Sequence, residues 1–339
     1  MDNIELAHKN ARRDKKHYPA VMRVDRNKGT YLSSLQEMLK SESFVNSEYT
    51  VFFKRGLTKD RWIYKLPYYP DRIVHHCIVQ VLDPIWRKNL IRDTYSAIPG
   101  RGIHDGVCRM KGFLADKDAS RYCLKMDIAK FYPSISHDIL KKLLRAKIKC
   151  KPTLNLLDKI IDSGPGVPIG NYLSQYFGNL FLSPFDHFMK EEVGCKRYSR
   201  YCDDIVVLNS SKKLLHDTNM YAHEYLKNNL DLNVKDNYQI FPTFTRGLDY
   251  LGYIFYENYT LIRKRIVKQF KKKVKKIKTD CYKMPVTQII NTIMSYYGWF
   301  KHADAWNLWN RYIDNDVKFI ISTICHNNQI KNPLRRITC

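Results

Sequence analysis

Two adjacent carboxylates, Asp203 and Asp204, stand between two strand-like runs in the segment YSRYCDDIVVL (198–208). Each acid raises the electrostatic cost of ionising its neighbour. The apolar run that follows predicts a strand that anchors the acids in a sheet, with the pair at the tip of a hairpin. Two acids in a turn are most often solvated, so the pair by itself is weak evidence for a site.

The charge of the whole chain makes this acidic pair unusual. The 339 residues contain 58 Lys and Arg against 33 Asp and Glu, a net charge of +25. The electrostatic field of a chain with this net charge attracts polyanions, so nucleic acid is the first partner to consider. A merely basic soluble protein or a membrane-surface binder remains the alternative on charge alone. The 24 tyrosines suit stacking on bases as well as core packing.

Cysteine usage and hydropathy indicate the compartment. The nine cysteines are scattered, odd in number and include no C-x-x-C pair, which is typical of a reducing cytoplasm and not of a disulfide framework or zinc site. No stretch of 18 apolar residues occurs, and the first residues form no apolar leader. We therefore expect a cytoplasmic protein without a membrane partner.

Hydrophobic spacing predicts the main elements around the acidic pair. The predicted elements are helices over 1–60 and 71–86, a strand from 122 followed by a helix capped by Ser136, a Gly/Pro loop at 162–170 that leads into a buried helix, and paired strands over 248–262. No internal repeat or low-complexity linker separates them, so we expect the lobes to pack continuously.

The segment RKRIVKQFKKKVKKIK (263–278) predicts a helix with one apolar stripe and a cationic back. Ten of its sixteen residues are basic, and Phe270, Val274 and Ile277 recur at helical spacing. A solvated charged face is the plain alternative. Because Glu is absent from residue 261 onward, a face that follows a phosphate backbone is favoured.

A third carboxylate, Asp127 in LKMDIAKFYPSIS, also ends an apolar strand. Mg²⁺ prefers carboxylate, water and phosphate oxygens. Asp127 on a strand beside the hairpin would complete a two-metal site, in which one ion activates the attacking oxygen and both stabilise the leaving phosphate. The three aspartates together therefore predict nucleotidyl transfer.

Four segments in this order resemble motifs of the reverse transcriptases. They are MDIAKFYPSI, GVPIGNYLSQ, YCDD and LDYLGYIF, which resemble the first and second palm motifs, the Y-x-D-D motif and the primer grip. The resemblance covers roughly residues 55–260. It implies an α+β right-hand polymerase, with an N-terminal region and fingers (1–120), a palm that includes a fingers helix (121–260) and a basic helical thumb (261–339).

The resemblance also implies roles for single residues. Asp127 and Asp203 would bind two Mg²⁺ ions, with Mn²⁺ as an alternative, while Asp204 assists and the Ile128 carbonyl adds a ligand. Tyr132, five residues after Asp127, matches the steric gate that excludes a 2′-hydroxyl. Plain core packing is the alternative for Tyr132.

Further nucleotide and nucleic-acid contacts follow from the same resemblance. The residues implied to contact the incoming nucleotide are Arg61, Lys65, Arg72, Arg101, Tyr132, Ile169, Gly170 and Gln175. Those implied to contact primer or template are Tyr201, Leu251, Gly252, Tyr253, Lys268, Lys272 and Lys275. Arg72 has a structural role as its alternative.

The second motif indicates a subtype. Most reverse transcriptases have Gln-Gly followed by Ser-Pro, whereas this chain has Ile169-Gly170 and Ser174-Gln175. That form is similar to the enzymes of diversity-generating retroelements, which misincorporate opposite template adenines. The implied partners are a template RNA, a primer or cDNA, dNTPs and a small basic oligomeric accessory protein.

Two positions depart from the family pattern. Ile98 occupies the place of an Arg before Pro-Gly, where Arg101 is the substitute, and the Lys usual after Y-x-D-D falls on Tyr238, with Lys235 nearby. A proton donor to pyrophosphate is therefore not assigned.

Two other functions remain open at this stage. One is a phage-defence or retron-like reverse transcriptase. The other is a non-catalytic nucleic-acid-binding scaffold, which the three aspartates disfavour because a scaffold gains nothing from repelling phosphates.

Overall fold

In the computed structural model, residues 1–54 and 61–336 are described and form helices alternating with short strands. The strands are β1 (Thr50–Lys54), β2 (Arg61–Lys65), β3 (Thr94–Tyr95), β4 (Tyr122–Asp127), β5 (Arg197–Tyr201), β6 (Asp204–Asn209), β7 (Gln239–Pro242), β8 (Leu248–Tyr250), β9 (Tyr253–Phe255) and β10 (Thr260–Ile262). The helices are α1 (Asp2–Ala11), α2 (Pro19–Arg26), α3 (Lys28–Lys40), α4 (Ile73–Arg87), α5 (Ile103–Ala115), α6 (His137–Lys147), α7 (Lys151–Ile161), α8 (Ser174–His187), α9 (Lys212–Leu230), α10 (Lys264–Asp280), α11 (Val286–Phe300), α12 (Trp306–Tyr312) and α13 (Asn315–Asn327).

The acidic pair lies in a five-stranded sheet of order β3-β5-β6-β4-β7. The hairpin predicted around it is present as β5 and β6, which are neighbours in the sheet, and β4 is the next strand along. Strand β3 pairs with β5 in parallel, with Tyr95 opposite Tyr201. This order puts the strand that ends in Asp127 beside the strand that begins with Asp204.

Two compact units make up the chain. The first contains Met1–Gly102, Leu124–Val207 and Lys213–Gln239, and the second contains Ile103–Cys123, Leu208–Lys212 and the residues from Ile240 onward. The division into fingers, palm and thumb stays a prediction.

Helices α6 and α8 of the first unit pack against each other. Ser136 caps α6 as predicted, since its hydroxyl accepts a hydrogen bond from the backbone N–H of Ile139 at 3.5 Å. Helix α8 is buried at Phe177, Phe181 and Phe185, in agreement with the buried helix predicted after the Gly/Pro loop. The ring of Phe185 lies 6.5 Å, centroid to centroid, from that of Tyr198 on β5, so α8 packs against the sheet at this point.

Strand β1 corrects the prediction that residues 1–60 are helical throughout. Helices α1 to α3 occupy the first forty residues, but Thr50–Lys54 pairs antiparallel with Arg61–Lys65. The sequence TVFFK contains β-branched and aromatic residues, which favour a strand once a partner strand is available. Residues 55–60 lie outside the described ranges.

The second unit places the basic segment on one helix. Strands β8, β9 and β10 form an antiparallel sheet, as predicted for 248–262. Helix α10 buries Phe270, Val274 and Ile277, and the ring of Phe270 stacks on that of Trp309 with centroids 5.7 Å apart. The predicted apolar stripe is therefore a packing face.

Across the described ranges, none of the helices combines the length and apolar character needed to cross a bilayer. The eight cysteines within those ranges are all free thiols.

Candidate active site

The three predicted catalytic aspartates lie at adjoining strand ends in the first unit. Asp127 ends β4, Asp203 lies in the turn after β5, and Asp204 begins β6. The backbone N–H of Ile128 donates to the Asp203 carbonyl at 3.1 Å, which ties the two strand ends together. The structure therefore brings together the acids that the motifs place 76 residues apart.

Two lysines form ion pairs with two of these acids, Asp127 and Asp204. Lys235 forms an ion pair with Asp127, and its backbone N–H donates to the Asp127 carbonyl at 2.9 Å. Lys125 lies 3.7 Å from Asp204. Asp127 and Asp204 are about a quarter exposed, at 28% and 25%. A cation approaching from solvent therefore meets carboxylates that already hold a positive partner.

The donor set fits a hard divalent cation. Carboxylates from adjoining strand ends are the ligands that Mg²⁺ uses together with phosphate oxygens and water. In the described part of the chain, no three His, Cys, Asp or Glu side chains converge on one point closely enough to hold a metal. The carboxylates of Asp127 and Asp204 have to turn from their lysines towards an ion, and the Ile128 carbonyl remains a predicted ligand.

The predicted steric gate, Tyr132, contacts the turn formed by Cys202 and Asp203 between β5 and β6, which we call the acidic turn. Its hydroxyl donates to the Cys202 thiol at 3.8 Å, and its ring packs where a Cβ on Gly178 of α8 would lie 3.2 Å away. Burial, reinforced by Cys202 and then Asp203, raises the pKa of the Tyr132 phenol, so the hydroxyl remains protonated. The ring thus packs beside the predicted catalytic aspartates.

The second motif is held by close backbone contacts. The Ile169 carbonyl accepts a hydrogen bond from the Tyr64 N–H of β2 at 2.8 Å. Gly170 has φ +116°, and a Cβ there would lie 2.6 Å from the Tyr64 carbonyl oxygen, so only glycine fits. The Ile169 side chain is half-buried and Gln175, in the first turn of α8, is exposed.

The predicted fingers residues differ in what they contact. Lys65 ends β2 and is exposed, whereas the side chain of Arg61 lies outside the described part of the structure. Arg72 lies over the Tyr172 ring, 5.2 Å from its centroid. Arg101 donates to the Ile91 carbonyl at 2.8 Å, so one nitrogen of its guanidinium holds its own loop.

Lys235 is predicted only as a neighbour of the expected lysine position, and Lys125 is not predicted. Strand alternation contained a signal for Lys125, because residues 125 and 127 of a strand share a face. The contact between Lys235 and Asp127 spans 108 residues of sequence, so no local pattern reveals it.

Of the predicted primer-grip residues in the second unit, Leu251 and Gly252 form the turn between β8 and β9, and Tyr253 begins β9. Leu251 has φ +54° and Gly252 has φ +86°. A Cβ on Gly252 would lie 2.6 Å from the ring of Trp299. The Tyr253 hydroxyl donates to the Trp299 carbonyl at 3.0 Å. The glycine therefore lets the turn lie against α11.

Three lysines on α10 form a cationic face. Lys268, Lys272 and Lys275 are exposed, lie at helical spacing, and have no ion pair with a described residue. Lys278 on the same helix instead pairs with Asp314 and lies 3.6 Å from Asp316. The Asp314 hydrogen bond raises the pKa of the Lys278 ammonium.

Replacing Lys268, Lys272 or Lys275 singly by Gln is expected to weaken duplex binding. The slope of log Kd against the logarithm of the salt concentration should fall by about 0.9, because fewer counterions are released on binding when one phosphate contact is lost. Lys278→Gln is the matched control, since it removes the same charge from the same helix but from a lysine engaged with aspartates. Salt titrations of binding measure both, and equal slopes for all variants would contradict the assignment of this face.

The comparisons with known proteins agree with this geometry. Residues 53–255 match the profile of the family described as reverse transcriptase (RNA-dependent DNA polymerase). This match covers more than half of the chain, and the three predicted catalytic aspartates lie within it. The chain belongs to the reverse transcriptase family.

Individual relatives are distant. Protein YkfC of Escherichia coli is 27% identical over 139 residues, 37% of this chain and 36% of that protein. The COX1/OXI3 intron 2 protein of Saccharomyces cerevisiae is 20% identical over 257 residues, 54% of this chain and 29% of that protein. The chain thus spans about a third of the length of these curated relatives.

The solved structure of apo telomerase from Candida tropicalis shares the fold. It aligns with a TM-score of 0.52 and 14% identity, covering 84% of this chain and 58% of that one. The predicted α+β class and right-hand polymerase fold are confirmed by this similarity together with the family match.

Proposed function

We propose that this chain is an RNA-directed DNA polymerase that extends a primer along a template RNA. The observation that carries the proposal is the placement of Asp127, Asp203 and Asp204 at adjoining strand ends beside the Tyr132 ring. Family membership supports the same activity. The substrates are a template RNA, a primer and dNTPs, and the reaction joins a primer 3′-hydroxyl to the α-phosphate of a dNTP with release of pyrophosphate.

The chain's own residues bind and orient the reactants. Asp127 and Asp203 would hold two Mg²⁺ ions with help from Asp204, and these ions supply charge stabilisation for the attacking and leaving oxygens. Lys235 and Lys125 keep the carboxylates neutralised until the ions and the nucleotide arrive. Tyr132 lies below the sugar of the nucleotide and excludes a 2′-hydroxyl.

The second motif supports a finer proposal, namely an error-prone enzyme of a diversity-generating retroelement. Ile169 has a half-buried apolar side chain where most of the family has Gln. An apolar side chain makes no hydrogen bond to a nascent base pair, so pairing geometry is checked less strictly. A small basic oligomeric accessory protein and a cytoplasmic location belong to this proposal.

Replacing Ile169 by Gln is expected to lower misincorporation opposite template adenine by about tenfold, the effect of one added polar contact of roughly 1.4 kcal/mol. The measurement is sequencing of cDNA made from an RNA that contains all four bases. Ile169→Leu is the matched control and should leave the error spectrum unchanged.

A wild-type spectrum with no excess of errors at adenines would contradict the diversification proposal and favour a phage-defence or retron-like role. An error spectrum unchanged by Ile169→Gln would contradict the role given to this side chain.

A further inference from the structure

A fully buried ion pair lies directly below the acidic turn. Arg200, on β5, and Asp186, on α8, both have side chains with 0% exposure. Their contact is bidentate: Arg200 Nε donates to Asp186 Oδ1 at 2.7 Å, and Nη2 donates to Oδ2 at 2.6 Å. Burying two charges has a large desolvation cost, and their mutual attraction offsets it only when the geometry is good and the remaining donors and acceptors are hydrogen-bonded. The pair therefore calls for a reason beyond simple packing.

The remaining nitrogen of this guanidinium, Nη1, contacts the acidic turn. Arg200 Nη1 donates to the Cys202 carbonyl at 2.9 Å, and it lies 3.5 Å from Asn179 Oδ1. Cys202 immediately precedes Asp203 and has φ +54°. A non-glycine residue is strained in this left-handed region and keeps it only when the surroundings hold it there.

The side chain of Cys202 makes a second set of contacts. The Cys202 thiol donates to Ser96 Oγ at 3.1 Å, and Asn179 Nδ2 donates to the Ser96 carbonyl at 2.9 Å. Ser96 itself has φ +88°. Arg200, Asn179 and Ser96 thus form one buried network around the strained turn.

Asp186 is satisfied independently of the turn. Tyr198 donates to Asp186 Oδ1 at 2.6 Å, and Thr94 donates to Oδ2 at 2.9 Å. These two hydroxyls and the Arg200 fork give the carboxylate four hydrogen bonds. The carboxylate attracts the guanidinium strongly enough to outweigh the effect of burial, so the pKa of Arg200 is raised and its charge is permanent.

We propose that Arg200, oriented by Asp186, is a positioning residue that fixes the Cys202 carbonyl and thereby sets where Asp203 and Asp204 present their carboxylates to metal. The inference rests on the proposed function of these aspartates. Arg200 does not touch substrate or metal, and it acts through the geometry of the turn. A lysine has no planar fork, so it cannot hold Asp186 with two nitrogens and the Cys202 carbonyl with a third.

Two variants test this role. Arg200→Lys keeps the charge and loses the fork, and the double variant Arg200→Met with Asp186→Leu removes both charges together, which buried ion pairs often tolerate without loss of stability. Tyr198→Phe is the matched control, because it removes a hydrogen bond from the same buried carboxylate and leaves the Cys202 contact in place.

The measurements are thermal unfolding, Mn²⁺ binding followed by electron paramagnetic resonance without substrates, and the Mg²⁺ dependence of primer extension. We expect the double variant to unfold within a few degrees of the wild type, to bind Mn²⁺ about tenfold more weakly and to need correspondingly more Mg²⁺, as seen when groups that orient metal ligands are lost. Arg200→Lys should shift metal binding in the same direction, and Tyr198→Phe should leave it unchanged.

Wild-type metal affinity in a folded Arg200 variant would overturn the positioning role, and so would an equal loss in Tyr198→Phe. These outcomes are distinct from failure of the proposed function, in which the wild type binds Mn²⁺ but extends no primer. If Arg200→Lys does not fold, the double variant alone decides the matter.

Discussion

Asp203→Ala is expected to abolish primer extension, with a loss of more than about a thousandfold, because removing a metal ligand exceeds the ~10²–10³ cost of losing one preorganised hydrogen-bond donor. Asp203 lies in the turn between β5 and β6, and its carbonyl accepts a hydrogen bond from Ile128. The substitution leaves this backbone contact intact. The loss should therefore concern catalysis and not folding, as single-turnover extension and thermal unfolding will show.

Asp162→Ala is the matched control for this variant. Asp162 is half exposed and pairs at the surface with Lys141, and exposed pairs of this kind contribute at most about 1 kcal/mol. Wild-type extension is expected for this control. Residual synthesis by Asp203→Ala well above about a thousandth of the wild-type rate would contradict its assignment as a metal ligand.

Tyr132→Val is expected to admit ribonucleotides. The ring packs against Gly178 of α8, and its hydroxyl contacts the Cys202 thiol, so we expect it to stay in place when a 2′-hydroxyl approaches. A smaller side chain removes the collision, and we expect the preference for dNTP over rNTP, measured as the ratio of kcat/KM values, to fall by about a hundredfold or more, equivalent to ~2.7 kcal/mol.

Tyr132→Phe separates the ring from the hydroxyl. It keeps the ring and removes only the 3.8 Å contact with Cys202. Sugar discrimination should stay at the wild-type level in this control. If Tyr132→Val and Tyr132→Phe lower the discrimination between dNTP and rNTP equally, the hydroxyl and not the ring selects the sugar. If neither variant changes this discrimination, Tyr132 is a packing residue.

Local patterns in the sequence predicted the parts of the fold that depend on neighbours in the chain. The strand ending at Asp127, the Ser136 cap and the apolar stripe of α10 each arise from spacing within a few turns or strand residues, and the structure contains all three. Strand β1 is not predicted, because a segment of five residues is too short for its hydrophobic spacing to distinguish a strand from a helix. Its conformation depends on pairing with β2.

The environment of the candidate site could not be predicted in the same way. The motifs placed the three aspartates, but the contacts of Lys235 with Asp127 and of Thr94 with Asp186 join residues 108 and 92 positions apart. Arg200 does stand out as a charged residue within a strand of buried residues, Tyr198, Ser199 and Arg200. Its partner, Asp186 on α8, can be identified only from the packing of that helix against the sheet.

The most direct test of the account is extension of one labelled DNA primer by the purified chain on matched RNA and DNA templates, each with dNTPs or rNTPs in Mg²⁺. We predict cDNA synthesis on the RNA template with dNTPs, and little product with rNTPs. A folded chain that binds the primed RNA yet adds no nucleotide in Mg²⁺ or Mn²⁺ would contradict the proposal that it copies RNA into DNA.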